Sequence, residues 1–160
     1  MKVNIAILTV TDTRTFENDK SGAILVKKIE EASHNLIDRQ ICKDNKEDIK
    51  KILKEWINKK EIDVVITTGG TGLTGRDITP EAVNEIADKH IPGFGEVFRT
   101  LSLKTVGTSA IQSRACAVLA NGKYVFALPG SSGGVTDAWD GILKYQLDIN
   151  HKPCNFVELF

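Results

Sequence analysis

The chain lacks a surplus charge, a long apolar run, a cysteine pair and a linker. Its 160 residues carry 21 Lys plus Arg against 21 Asp plus Glu, a formal net charge of zero. That balance argues against a basic nucleic-acid binder, which neutralises phosphates with clustered cations, and against a polybasic membrane anchor. No apolar stretch approaches the roughly 18 residues needed to span a bilayer. The first apolar run, Val3 to Val10, contains Asn4 and Thr9 and has no small-residue cleavage pattern, so it does not read as a signal peptide. The three cysteines, Cys42, Cys116 and Cys154, are odd in number, widely spaced and free of any CxxC. They point to reduced thiols in a cytoplasmic protein rather than a disulfide scaffold. With no Pro/Ser-rich segment, repeat or extended charge run, residues 1–160 read as a single soluble domain. A chain of this length buries roughly 70% of its unfolded surface, enough for one core.

What is present alternates between two periodicities. Val3 to Val10 reads as a buried strand. Ser21 is expected to cap a helix with Ile24, Leu25, Ile29 and Ala32 on one face. Leu36 to Ile41 reads as a short strand, and Ile49, Ile52, Leu53, Trp56 and Ile57 trace an unbroken helical stripe. Asp63 to Thr67 is a β-branched strand of the kind buried on both faces. Thr79-Pro80 predicts a helix start, with Thr as N-cap and Pro first inside. Ala115–Leu119 and Tyr124–Leu128 read as strands joined through Asn121-Gly122, and a final helix is expected from about Thr136 to Leu147. This alternation predicts an α/β three-layer sandwich with a mostly parallel central sheet.

Ligands of such sheets bind in loops at the carboxyl ends of the strands. The loop after the Asp63–Thr67 strand holds Gly69, Gly70, Gly72 and Gly75, four glycines in seven residues. A simple turn needs one or two; four let backbone N–H groups close around an anion. Gly70, Gly72 and Gly75 match GxGxxG, but the helix begins after them at Thr79-Pro80 and no strand with a terminal acid follows. Gly70 to Gly75 also supplies the GxxxxG of a P-loop, yet Arg76-Asp77 stand where Lys and Ser/Thr belong. A carboxylate holds phosphate only through a cation, so Asp77 is a candidate Mg²⁺ ligand or base; a loop cap is the structural alternative.

Two further loops have suitable chemistry. Thr9 to Arg14, with Asp12, precedes Ser21-Gly22 at a helix start, suited to hydrogen bonding a polar ligand. Leu128-Pro129-Gly130-Ser131-Ser132-Gly133-Gly134 is a strand running into a Gly/Ser turn. Gly130 to Gly134 matches GxSxG, with Asp137, Asp140 or Asp148 and then His151 in hydrolase order. The acids would lie on or beyond the adjoining helix, and only 28 residues follow Ser132, too few for the rest of such a sheet. His34, His90 and His151 are isolated, without metal-ligand spacing, and Cys116 reads as a small core residue.

The glycine motif Thr67 to Gly72, continuing through Arg76-Asp77-Ile78-Thr79-Pro80-Glu81-Ala82, resembles the MoaB/MogA family of molybdenum cofactor biosynthesis. So do Leu8 to Arg14, Gly93 to Arg99 and Ala127 to Ser131, in order along nearly the whole chain. The resemblance implies a homotrimer or hexamer that binds molybdopterin and transfers AMP from Mg-ATP to its terminal phosphate, releasing pyrophosphate. It implies catalytic and Mg²⁺-holding roles, through phosphates, for Asp77 and Asp44. It places Thr68, Gly69, Gly70, Thr71 and Gly72 on the pterin and phosphate loop. Asp12, Ser21, Gly22, Glu96, Ser109, Ser113, Arg114, Pro129, Gly130 and Ser131 are implied around the same pocket. Gly72-Leu73-Thr74-Gly75, Glu96-Val97-Phe98-Arg99 and Gly130-Ser131-Ser132 are closer to the MoaB-type branch. The MogA type usually reads Pro-Gly, an amide residue and another proline at the last turn. The alternative is a protein that carries molybdopterin without adenylylating it. Chemically, phosphate-to-phosphate transfer is mostly positioning and charge neutralisation, which a glycine nest and metal-holding carboxylates supply.

Overall fold

The computed structural model describes residues 1–160. Six strands form one mixed sheet in the order β2-β1-β3-β6-β5-β4, where β1 is Asn4–Val10, β2 Asn35–Cys42, β3 Val64–Thr68, β4 Lys89–His90, β5 Cys116–Ala120 and β6 Lys123–Leu128. The ladders from β2 through β1 and β3 to β6 are parallel, and β6-β5-β4 are antiparallel. The β5–β6 hairpin turns at Asn121 and Gly122, both with positive φ, as a two-residue turn requires.

Alternation along the strands divides the apolar residues into two layers. Ile5, Ile7, Val64, Ile66, Tyr124 and Phe126 face one side of the sheet. They pack against α1 (Lys20–Glu31), α4 (Pro92–Val106) and α5 (Ser132–Ala138). Ala6, Leu8, Val10, Val65, Val125 and Ala127 face the other, against α2 (Lys46–Ile57) and α3 (Thr79–Glu85). Central β3 is buried along its full length, which explains its unbroken β-branched run. Burying each large aliphatic side chain of these layers contributes about 1.5–3 kcal/mol. On the edge strand, Asp38 accepts the indole N–H of fully buried Trp56 at 3.0 Å, satisfying the polar end of the largest side chain in that layer.

Several local expectations change. Asp19, not Ser21, caps α1, its carboxylate accepting from Gly22 N–H at 3.0 Å. Ile78 is the residue before α3; Thr79 lies inside the helix and its hydroxyl donates to Gly69 O at 2.8 Å. α4 and the two-residue β4 have no counterpart among the expected elements. The Pro-Gly-Phe-Gly opening of α4 has poor helix propensity. Gly95 is required there because a Cβ would strike both the Arg99 guanidinium and Ala115 O, the latter at 2.8 Å. The final helix starts at Ser132 and passes through a π-helical turn, Trp139–Leu143, into Lys144–Gln146. Ser132 is therefore the first residue of a helix that also carries Asp137, with Asp140 in the turn beyond, so no acid reaches it from a separate strand.

The turn from α1 to β2 carries a titratable latch. Val3 N–H donates to Nδ1 of His34 at 3.2 Å, and burial, joined by the nearby N-terminal ammonium, holds His34 below its ordinary range. A neutral imidazole is needed to accept, so the stabilisation is complete above the unfolded value near 6.5 and is lost as pH falls from there toward the lowered native value. Urea unfolding between about pH 7 and about pH 5 should show this loss. His34→Asn, which keeps an acceptor without titrating, should flatten that part of the profile.

Candidate functional site

The chain leaves β1 toward β2 on one side of the sheet and later returns to β3 on the other, so the order reverses between β1 and β3. Crevices outside the carboxyl ends of strands at such a reversal are the preferred binding sites of open α/β sheets. A cavity of about 410 Å³ lies there, lined by Thr9, Val10, Thr11, Thr13, Arg14, Ser21, Asp44, Thr68, Gly69, Gly70, Asp77, Gly130 and Ser131.

Its floor is set by backbone approach. Gly69 has φ +102°, and a Cβ there would collide with Val10 O, while Gly69 N–H donates to Leu128 O at 3.0 Å. A Cβ on Gly130 would lie 3.2 Å from Gly69 Cα. Gly70 has φ +70°, and a side chain there would run into the Thr79 hydroxyl and stand 3.1 Å from Asp44 Oδ1. Its N–H has no intramolecular acceptor, so it is a free donor at the cavity.

Two carboxylates reach this cradle from different loops. Asp77 Oδ2 accepts from Thr74 N–H at 2.9 Å and from the Thr74 hydroxyl at 2.7 Å. Burial opposes its ionisation, but these bonds, with help from Gly72 N–H and the Arg114 charge, hold it below the usual carboxylate range. Asp44 is raised instead, by burial first and then by the like charges of Asp12 and Asp77, with Arg76 partly offsetting them. The site thus carries more negative charge than its own cations satisfy. Asp12 stands beside it: Oδ1 accepts from Asp44 N–H at 3.1 Å, and Oδ2 is held by Arg76.

The residues implied by resemblance do not all converge. Thr68, Gly69, Gly70, Ser21, Asp44, Asp77, Gly130 and Ser131 share the cavity. Ser109, Ser113 and Pro129 line a neighbouring one of about 460 Å³, with Ser102, Thr105 and Asp137, and Ser131 borders both. Thr71 is buried and its carbonyl accepts from Arg114 N–H. Arg114 is a brace rather than a cavity wall, donating to Gly72 O at 2.7 Å and Asp77 O at 2.9 Å and pairing with Glu81. Gly72 leaves room for the Asp77 carboxylate, and Gly22 for that of Asp19. Glu96 lies apart, in a third recess with His90, Arg99 and Cys116.

Two features escaped the sequence. Asp19 is fully buried and gathers Thr9, Ser21, Gly22 and Arg39 around one carboxylate beneath the cavity. Arg14 lines the cavity and is its sole cationic wall residue. Cys42, near Asp44 and Asp48, is pushed up to about 12 by burial and those acids, which removes it as a nucleophile. No group of three or more His, Cys, Asp or Glu side chains forms a metal cage, and no helix is long and apolar enough to cross a membrane.

A probable molybdopterin-binding domain family matches residues 6–148. Molybdenum cofactor biosynthesis protein B of Escherichia coli (strain K12) is 46% identical over 152 residues, covering 95% of this chain and 89% of the relative. A crystal structure of a molybdenum cofactor biosynthesis protein B superposes with TM-score 0.89 at 44% identity, covering 92% of each chain. The tungsten cofactor synthesizing protein MoaB from Pyrococcus furiosus gives TM-score 0.80 at 35% identity, over 89% of this chain and 91% of that one.

The motif's glycines are not equivalent, and substitution separates them. Gly69→Ala combines positive φ with a backbone collision and should cost about 2–4 kcal/mol in chemical denaturation. Gly75→Ala meets nothing within 4 Å and has no positive φ, so it should stay within about 0.5 kcal/mol of the parent.

Proposed function

The chain belongs to this molybdopterin-binding family of molybdenum cofactor biosynthesis, and from that premise we propose that it binds molybdopterin and adenylylates it. The AMP moiety of Mg-ATP passes to the terminal phosphate of the pterin, and pyrophosphate leaves. The carrying observation is the cradle at the β1/β3 reversal, where a free Gly70 N–H and two carboxylates from separate loops face one cavity.

The residues present fit a magnesium ion. Magnesium is bound by one or two carboxylates and completed by phosphate oxygens and water, so a full protein cage is unnecessary. Asp44, raised by burial and by the like charges of Asp12 and Asp77, and Asp77, held ionised by Thr74, would hold it. Bound there with ATP, the ion supplies charge neutralisation across the phosphates.

The chain's own groups position the reactants. A terminal phosphate oxygen of the pterin attacks the α-phosphorus of ATP, and the bond to the β-phosphate oxygen breaks. Gly70 N–H is a fixed dipole for phosphate oxygen. The Ser131 hydroxyl accepts from Gly134 N–H at 3.1 Å, which leaves its proton for the ligand. The Thr11 hydroxyl, accepting from Thr13 and Arg14 N–H, is similarly free to donate. Little covalent chemistry is asked of the protein. The neighbouring Ser/Thr-lined cavity, joined through Ser131, offers room for the second reactant. Exposed Val97, Leu103, Val106 and Ile111 on α4 and the turn after it support the trimeric or hexameric assembly expected of the family.

Pyrophosphate release from ATP, Mg²⁺ and molybdopterin tests this reading. Asp77→Asn should lower turnover by about 10²–10³-fold while pterin binding, measured without nucleotide, is retained. Unchanged turnover would remove Asp77 from catalysis. Pterin binding by the parent without pyrophosphate release would assign a carrier instead.

A further inference from the structure

Four of the five arginines are committed to partners. Arg39 pairs with buried Asp19 at 3.0 Å, and Arg76 with Asp12. Arg99 donates to Ser113 O and Ala115 O, and Arg114 braces Gly72, Asp77 and Glu81. The fifth, Arg14, has a single long contact, 3.4 Å from Nη1 to Gly130 O, and no acid beside it. Gly130 lines the first cavity, and its neighbours in the chain, Pro129 and Ser131, line the second. The least engaged guanidinium of the molecule therefore stands where the two cavities meet.

The loop that carries it is held by hydrogen bonds at both ends. Thr11 N–H donates to Cys42 O at 2.8 Å, and Asp19 N–H to Thr15 O at 2.9 Å. Thr15 N–H donates to Asn18 Oδ1 at 2.7 Å, and the Phe16 ring lies 5.2 Å from the Arg39 guanidinium. The Arg14 backbone is fixed by Thr11, so reorientation of its head is a side-chain rotation. A planar guanidinium presents two parallel donors to a phosphate and loses little on leaving one weak carbonyl contact.

We propose that Arg14 is the anion clamp of this site, moving from the Gly130 carbonyl onto a phosphate group at the junction of the two cavities. The inference rests on the reading that the first cavity takes phosphate groups. It also resolves the charge imbalance, because Asp44 and Asp77 would repel a polyphosphate and no other cationic side chain lines the wall.

Titration calorimetry on the intact chain, with pyrophosphate plus Mg²⁺ and with adenosine as an uncharged probe, tests it. Arg14→Gln should weaken pyrophosphate binding by about ten- to a hundredfold, leave adenosine binding as in the parent and keep the melting temperature. Its pyrophosphate affinity should also depend less on ionic strength, and Arg14→Lys should recover part of the loss by restoring charge without the fork. Equal pyrophosphate affinity in Arg14→Gln and parent would overturn the clamp while leaving the proposed reaction intact. Parallel losses for adenosine and pyrophosphate would overturn it in favour of a structural role. No pyrophosphate binding by the parent would sink both the clamp and the phosphate-transfer reading.

Discussion

The architecture of the site depends on how closely the ends of β1, β3 and β6 approach one another. Val10, Gly69 and Gly130 bring their backbones together so tightly that a Cβ on Gly69 would strike a carbonyl. One on Gly130 would press against Gly69 Cα. Each strand end is thereby fixed relative to its neighbours without a side chain between them, and the abutting backbones form the cavity floor. Loop geometry follows from this contact. The chain must turn sharply at Gly69 and Gly70, both at positive φ, and cannot start a helix until Thr79, whose hydroxyl closes the turn back onto Gly69 O. The displacement of the helix start beyond the glycines separates this loop from a dinucleotide or P-loop fold, in which the helix N-terminus itself meets the phosphate.

Beneath the floor, rigidity comes from buried charge. Asp19 is completely inaccessible, yet hydrogen bonds from Thr9, Gly22 and Arg39 outweigh the burial that would otherwise raise it. Removing one member of such a pair leaves the other charge buried and unsatisfied, at about 3–5 kcal/mol. The network also ties a residue of β1, the start of α1 and a residue of the edge strand to one carboxylate. The loop from Thr11 to Asn18 thus springs from a fixed base although its own residues are mostly exposed. On the far side Arg114 does the same for the glycine loop, which has no regular structure of its own and is held by carbonyl contacts to one guanidinium.

The parts of this arrangement that were legible in the sequence are those dictated by periodicity or by glycine density. Asp63 to Thr67 announced a strand buried on both faces, observed one residue on at Val64–Thr68, the Ile49–Ile57 stripe announced α2, and four glycines in seven residues announced the loop. α4 stayed hidden because Pro92, Gly93 and Gly95 argue locally against a helix, and it is tertiary packing of Phe94 and Phe98 against the sheet that stabilises it. Ser21 was an acceptable cap by residue type, but it lies inside the helix, and the N-cap Asp19 takes Gly22 N–H and Arg39 as well. Residue type alone could not tell that Arg114 turns inward to backbone carbonyls while Arg14 stays unpaired. That distinction appears only when each arginine's partners are known.

The equal numbers of acids and cations are likewise informative only once paired in space. Lys28 meets Asp140, Lys46 and Lys50 meet Glu85, and Arg76 meets Asp12 at the surface, while Arg39 meets buried Asp19. Surface pairs of this kind contribute little to stability, about 0–1 kcal/mol each, but they remove charge from play. Around the cavity the pairing stops. Asp44 and Asp77 form no direct ion pair, and neither does Arg14, which shares their cavity. A free cation would satisfy the acids and leave the arginine idle, whereas a free anion would satisfy the arginine and be repelled by the acids. A polyphosphate carrying its own divalent metal answers both demands at once, which makes the unpaired charges around this cavity the physical argument for the proposed ligand class.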